Sequence, residues 1–181
     1  MTEIRSRLVK TLWPDNGSTR ASVWTILDAA RDSRIFSAVD RSYLEKCCLY
    51  AGDLPWQLQM ASPYLVELRP DDRLTDMVID HGWGRAWGIY FRSETGMNNL
   101  RRHFRGFLRV RDRQGRRLIF RYYDPRVMRI YLPTCTPEEL RTVFGPVREF
   151  LVESEDASAV IQYGFDGKQL WDRRFRLSAA G

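Results

Sequence analysis

Apolar residues fall in short runs along the first half of the chain, separated by segments with a different period. The first run, residues 23–27, is a continuous apolar stretch of strand length. Runs of the same kind follow at 47–50, 64–68 and 87–91. Between them the apolar residues recur close to every 3.6 positions, as on one face of a helix. The order β-α-β-α-β-α-β predicts an N-terminal half built on a mostly parallel sheet covered by helices.

The second half has a different pattern, which predicts an α+β arrangement. After an amphipathic helix that carries Met97 and Phe104 and ends near Gly106, residues 109–113 and 118–123 predict a hairpin. Two short helices and an antiparallel pair of strands, 149–152 and 159–165, complete this half. The fold class predicted for the whole chain is therefore α/β, with antiparallel strands confined to the second half. Residues 171–177 are predicted to form a short helix.

Capping residues mark where most of the helices begin. Asp32 precedes the first of them, and either Asp71 or Asp72 precedes another, because a carboxylate at that position accepts an exposed backbone N–H. Asp124 is followed by Pro125, which suits a first helical turn. Thr136 and the glutamate three residues later form a capping box.

Neither a repeat nor a low-complexity linker divides the sequence, and 181 residues suit a single domain. We predict a polar leader at 1–20, one domain at 21–165 and an arginine-rich tail at 166–181. Within the domain, two lobes are expected at about 21–108 and 109–165.

The basic residues are nearly all arginine, and they cluster. The chain has a net charge of +6, and only three of its 29 basic residues are lysine. Eleven arginines lie between residues 101 and 129, against two aspartates. Guanidinium groups pair with carboxylates and phosphates and stack on aromatic rings. An acidic protein surface and nucleic acid are both possible partners. A genome that favours arginine would explain the ratio of arginine to lysine, although not the clustering.

The distribution of apolar residues and cysteines points to the cytoplasm. No apolar run approaches the roughly 18 residues that a membrane-spanning helix requires, and the first ten residues lack a signal-peptide core. The three cysteines have no paired spacing and are predicted to be reduced, partly buried thiols. We therefore expect a cytoplasmic protein with no membrane partner.

Residues suited to catalysis are sparse, and we predict neither an enzyme nor a bound metal or cofactor. His81 and His103 are not spaced from each other or from a cysteine as metal ligands usually are. The glycines of residues 82–88 lack the spacing of a phosphate loop, and they precede a strand instead of following one. Most carboxylates lie at helix starts, where capping explains them. A pair of distant carboxylates that meet in space remains an alternative, as in a small hydrolase.

Six ordered motifs together resemble the adaptor, or effector-loading chaperone, family of the bacterial type VI secretion system. They are Leu-Asp-Ala-Ala-Arg-Asp at 27–32, Leu-Tyr-Ala-Gly-Asp-Leu-Pro at 49–55, Trp-Gly-Arg-Ala-Trp-Gly-Ile at 83–89, Leu-Arg-Arg-His-Phe-Arg at 100–105, Phe-Arg-Tyr-Tyr-Asp-Pro-Arg-Val-Met at 120–128, and Leu-Pro-Thr-Cys-Thr-Pro at 132–137 leading to Phe-Gly-Pro at 144–146. The resemblance runs from about residue 23 to 152. It implies a cytoplasmic adaptor that binds a toxic effector and helps to load it onto the VgrG spike, with no catalysis and no cofactor.

Within these motifs, large aromatic residues and arginines are the types that most often anchor interfaces. The predicted partner-binding residues are Trp83, Arg85, Trp87, Arg121, Tyr123 and Arg126. Two alternatives involve no partner: packing of the tryptophans around a tight glycine turn, and internal pairing of Arg121 or Arg126 with Asp124. The alternative function is nucleic-acid binding through the basic region from Arg101 to Arg129.

Overall fold

A computed structural model of the chain describes residues 2–14, 20–111 and 114–177. Its main sheet has seven strands in the spatial order β2-β3-β1-β4-β7-β8-β9. These strands are β1 (Ser22–Asp28), β2 (Lys46–Cys48), β3 (Pro63–Leu68), β4 (Gly88–Ser93), β7 (Glu149–Glu153), β8 (Ala159–Phe165) and β9 (Leu170–Arg176). A separate hairpin consists of β5 (Arg109–Arg111) and β6 (Arg117–Ile119).

Seven α-helices cover or flank the sheet. They are α1 (Thr2–Leu12), α2 (Ser33–Arg41), α3 (Trp56–Gln59), α4 (Arg73–Met77), α5 (Met97–Gly106), α6 (Pro125–Tyr131) and α7 (Pro137–Phe144). A π-helical turn, Val78–Gly82, continues α4, and a 3-10 turn, Leu132–Thr134, continues α6. Within the described ranges no helix has the length and apolar character needed to cross a membrane.

The prediction of a mostly parallel N-terminal sheet is wrong, because every pair of neighbouring strands is antiparallel. The connections explain the error. β1 and β2 point in the same direction, as a βαβ unit requires, but β3 lies between them; β3 and β4 likewise run in one direction with β1 between them. The connections through α2 and α4 therefore each skip one strand position, which an antiparallel strand fills, whereas α3 joins the neighbouring strands β2 and β3. The order of elements along the chain is the same for the two arrangements.

Alternation along the strands divides the core into two layers. In β1, Trp24 and Ile26 face one side of the sheet, where α5, α6 and α7 pack. Val23 and Leu27 face the other side, against α1, α2 and α4. The sheet is therefore buried on both faces at its centre, which accounts for the continuous apolar runs in the sequence.

Helix α1 lies in the segment that the sequence predicts as a polar leader. Leu8 and Leu12 are buried in the second core layer. The buried Arg92 guanidinium holds the end of the helix, since its Nε donates to the carbonyl oxygen of Leu12 at 3.1 Å and it also pairs with Glu149. The carbonyl groups at the end of α1, which lack helical partners, are thus satisfied by a charged donor from β4.

The predicted capping residues at helix starts are confirmed, whereas the helix predicted at residues 171–177 is wrong. Asp32, Asp72 and Asp124 each accept a backbone N–H at a helix start. Thr136 and Glu139 form the predicted capping box. The segment predicted as a C-terminal helix instead forms β9, joined to β8 by a turn at Asp166-Gly167 with a positive φ of 92° at the glycine.

Candidate partner-binding surface

One end of the main sheet gathers the segments that carry the motifs. Strands β1, β2 and β7 finish at this end, and β3, β4 and β8 begin there, as the pairings of Leu27 with Gly88 and Glu153 with Val160 establish. Motif residues 27–32 and 49–55 follow β1 and β2, and residues 83–89 lead into β4. Three motifs that are far apart in the sequence therefore meet at one place.

A further motif, residues 120–128, reaches the same end of the sheet through ion pairs. Arg121 contacts the carboxylate of Asp28 at 2.5 Å and that of Asp124 at 3.5 Å. Arg126 donates from Nε and Nη2 to the two oxygens of Asp124, at 2.9 and 2.6 Å. We call Asp28, Arg121, Asp124, Arg126 and Glu153 the sheet-end cluster.

Exposure divides the sheet-end cluster into a buried acidic base and a basic outer layer. The side chains of Asp28 and Asp124 are 3% and 4% exposed, whereas those of Arg121 and Arg126 are 43% and 52% exposed. Burial opposes ionisation of Asp124, but the hydrogen bonds from Arg126 outweigh it and hold the pKa of Asp124 below its ordinary value. The Asp124 carboxylate therefore stays charged, and together with Asp28 it fixes two guanidinium groups at the surface.

Glu153 fixes the shape of the glycine-rich loop at this end. Its carboxylate accepts the backbone N–H groups of Gly84 at 2.6 Å and Ala86 at 3.0 Å. Both residues have positive φ, 79° and 54°, and for alanine that conformation is unfavourable without outside support. Burial raises the pKa of Glu153 above its ordinary value, although the two N–H groups act against the rise. The loop that presents Arg85 is therefore held from beneath.

The structure places the first three predicted binding residues at different depths. Trp87 is buried in the second core layer, with the Arg34 guanidinium 5.2 Å from its ring centre. Trp83 is partly buried, and its indole N–H donates to the carbonyl oxygen of Ala157 at 2.9 Å. Arg85 is exposed. Of this group only Arg85 offers its whole side chain to a partner.

The other three predicted residues lie together in or under the sheet-end cluster. Arg121 and Arg126 form its outer layer, and Tyr123 is only 2% exposed beneath them. Burial raises the pKa of Tyr123, and the neighbouring Tyr50 contributes to the rise. Tyr123 is thus a buried neighbour of Asp28 and Arg121, whose charges act on its pKa in opposite directions. The internal pairing of Arg121 and Arg126 with Asp124 is present, and it leaves about half of each side chain open to solvent.

The arginines between residues 101 and 129 do not share one face of the molecule. Arg105 donates to the carbonyl oxygens of Leu49 and Tyr50 at the end of β2, at 2.9 and 2.7 Å. Arg129 donates to the carbonyl oxygen of Glu153 at 2.7 Å. Arg109, Arg111, Arg116 and Arg117 are exposed on or beside the β5–β6 hairpin, and Arg113 lies outside the described residues. The basic region thus divides among internal contacts, the hairpin, the exposed Arg102 on α5, and the half-exposed Arg121 and Arg126 of the sheet-end cluster.

Side chains that could support metal or acid–base chemistry are dispersed. Among the described residues, no group of three His, Cys, Asp or Glu side chains is arranged to hold a metal ion. His103 contacts the carbonyl oxygen of Val143 through Nε2 at 2.9 Å, and burial lowers its pKa. All three cysteines are free thiols, and burial raises the pKa of Cys47 to about 11.

The exposure of an apolar group on and just after α3 was not predicted from the sequence. Trp56, Leu58 and Met60 are 57%, 42% and 37% exposed on and just after α3. Only the alternation of apolar and polar residues at 56–60, on a helix of four residues, could have signalled them. So short a helix cannot turn three large side chains into one core.

Fold and site together define a mixed α/β protein that presents arginines over a buried acidic base at one end of an antiparallel sheet. A family model described as a domain of unknown function, DUF4123, matches residues 23–142, more than half of the chain. The chain belongs to this family. No curated protein matches it, and neither does any solved structure.

Proposed function

We propose that this protein is an adaptor of the bacterial type VI secretion system, which binds a toxic effector and helps to load it onto the VgrG spike. The observation that carries the proposal is the meeting of four of the six resembling motifs at one end of the sheet. Residues 27–32, 49–55, 83–89 and 120–128 are separated in sequence but adjacent in the fold. A shared binding surface accounts for this arrangement.

The physical basis is protein–protein capture by arginines that are already oriented. An arginine that must be fixed on binding loses side-chain entropy, which weakens the complex. Here Asp28 and Asp124 fix Arg121 and Arg126 before any partner arrives. A carboxylate or carbonyl group of the partner then finds charged donors with defined directions. The rigid loop that carries Arg85 extends the same surface.

The proposal is tested by co-expressing the protein with the toxin and the VgrG protein encoded nearest to its gene. A complex of the three, or of adaptor and toxin, is the expected result. Arg126→Glu, which reverses one exposed charge of the cluster, should weaken adaptor–toxin binding by about ten-fold or more. Arg117→Glu on the hairpin is the matched control and should have little effect. Recovery of all three proteins as separate species would refute the proposed function.

Nucleic-acid binding predicts a different response to salt. Each phosphate that the protein neutralises on duplex DNA lowers log K by about 0.9 per unit of log salt. The exposed arginines of the basic region lie on α5, on the hairpin and in the sheet-end cluster, and this alternative requires that they act together on one nucleic acid. Gel-shift measurements at low salt with duplex DNA and single-stranded RNA distinguish the two functions.

A further inference from the structure

A groove of about 580 Å³ opens beside the short edge strand β2. It lies between the end of α2, the loop that follows β2, and α5. Its lining combines aromatic and basic side chains, among them Phe36, Tyr50, Tyr64, Lys46, Arg101 and Arg105. None of the residues predicted to bind a partner lines it, so the groove is a separate feature from the sheet-end cluster.

One side of the groove carries an exposed apolar group that the fold holds in place. The ring of Trp56 packs edge-on against Phe36 with 5.0 Å between ring centres, and Phe36 in turn contacts Tyr64. Trp56 is nevertheless 57% exposed, and Leu58 on the same short helix is 42% exposed. Apolar groups that are clustered, fixed and open to solvent are typical of binding surfaces.

The basic side chains of the groove differ in how fully they are used. Arg105 donates to backbone carbonyl groups at the end of β2. The ammonium group of Lys46 donates to the carbonyl oxygens of Asp40 and Ser42. By contrast, the buried Nε of Arg101 has no hydrogen-bond partner in the part of the chain that the structure describes. Buried donors of this kind are rare in folded proteins.

We propose that this groove binds a segment of a partner protein in which an apolar side chain lies next to a carboxylate. The apolar side chain packs on Trp56 where its ring covers Phe36, and the carboxylate accepts from the part of the Arg101 guanidinium that lines the groove. The inference deepens the proposed function, on which it rests for the identity of the partner, by naming the chemistry of the segment that is recognised.

Charge favours an acidic partner over a second copy of this chain. The chain carries a net charge of +6, so two copies repel each other. Three basic side chains of the groove, on Lys46, Arg101 and Arg105, outnumber its two carboxylates, on Asp40 and Asp53. Both aspartates are exposed to solvent, which screens their charges, whereas Arg101 is partly buried in the wall of the groove. An incoming carboxylate is therefore drawn toward Arg101.

The test uses two synthetic peptides and requires no knowledge of the natural partner. Each has about 15 residues, long enough to form a helix on the surface. One combines leucine with glutamate, and the other has lysine at every glutamate position. Binding is followed by ¹⁵N NMR of the Trp56 indole and the Arg101 side chain, and by titration to obtain affinities. We expect the acidic peptide to bind and to shift both signals, and the basic peptide not to bind.

Variants on both walls of the groove, with controls far from it, complete the test. Arg101→Gln and Trp56→Ala should each weaken acidic-peptide binding by about ten-fold or more. Arg148→Gln, beside a strand four positions away from β2, and Phe175→Ser, on the opposite edge of the sheet, should leave it unchanged. The backbone NMR spectrum of each variant establishes that it is folded.

Three outcomes would overturn the inference. They are equal binding of the two peptides, affinities that the groove variants do not alter, and self-association that Trp56→Ala abolishes, which would assign the groove to a second copy. Failure of the proposed function is distinguishable. Acidic-peptide binding without any complex with toxin or VgrG removes the secretion role alone, whereas a toxin complex without peptide binding removes this inference alone.

Discussion

Removing the positive charge of Arg121 tests whether the ion pair with the buried Asp28 carboxylate stabilises the sheet-end cluster. In Arg121→Gln, Asp28 keeps a hydrogen bond from the Ala30 N–H at 3.1 Å but loses its ion pair. In the wild-type protein its carboxylate is only 3% exposed, so little water solvates it beside the guanidinium. Loss of one partner from a fully buried ion pair costs about 3–5 kcal/mol. Because the Arg121 side chain is 43% exposed, solvent screening reduces the expected loss to about 1–3 kcal/mol.

Urea denaturation of a double-mutant cycle measures the pair itself. We expect Arg121→Gln and Asp28→Asn each to lower the free energy of unfolding. The double variant should lose less than the sum of the two single losses, by about 1–2 kcal/mol, because neither remaining group is left buried and charged. Arg117→Gln, exposed on β6, is the matched control for loss of an arginine and should stay within about 0.5 kcal/mol of wild type.

A specific result would refute this account of the cluster. If Arg121→Gln costs less than about 0.5 kcal/mol and the cycle is additive, then Asp28 does not need the guanidinium. In that case Arg121 is not fixed in advance, and its supposed advantage in binding disappears.

Three further predictions follow from single positions. The hydrogen bond from the Arg34 side chain is the main cause that lowers the pKa of Asp32 to about 2. The stability of wild type relative to Asp32→Asn should therefore be constant above pH 4 and should fall between about pH 4 and pH 2. Thermal melts across this range check the prediction, and a difference in stability that stays constant over the whole range would contradict it. Trp87→Ala should lower the free energy of unfolding by about 3–5 kcal/mol in urea, whereas Arg85→Ala should stay within about 0.5 kcal/mol. Gly88→Ala should prevent folding, because its methyl group would overlap a backbone carbonyl of β1, and a near-native circular dichroism spectrum would show otherwise.

Signals that act within a few residues were predictable from the sequence. The helix starts at Asp32, Asp124 and Thr136 follow from side chains that accept nearby backbone N–H groups. The strand positions in the first half follow from apolar runs that are buried on both faces. The capping bonds depend only on neighbours in the chain. The apolar runs indicate that a strand is buried, although they do not specify which strand it pairs with.

Features that depend on distant partners were not predictable in the same way. The direction of β3 relative to β1 is set by which strand fills the gap in the sheet, and the sequence pattern is identical in either arrangement. Ranking Trp83, Arg85 and Trp87 by exposure required knowing that Trp87 packs under Arg34. The exposure of Trp56 depends on how few residues α3 contains. The orphaned donor of Arg101 can be recognised only after every nearby carbonyl group has been located.

The sheet-end cluster and the groove share a structural base, which bears on how one partner could use both. Tyr123 is buried next to Asp28 and Arg121 of the cluster, and its hydroxyl group interacts with Tyr50, which lines the groove. The two surfaces are therefore neighbours joined by the buried Tyr123 and the partly buried Tyr50. A stable protein interface buries about 1,200–2,000 Å² in total, more than the groove alone can supply. We therefore expect a partner whose segment occupies the groove to extend its interface over the neighbouring sheet-end cluster. There the fixed guanidinium groups of Arg121 and Arg126 would favour partners that present hydrogen-bond acceptors.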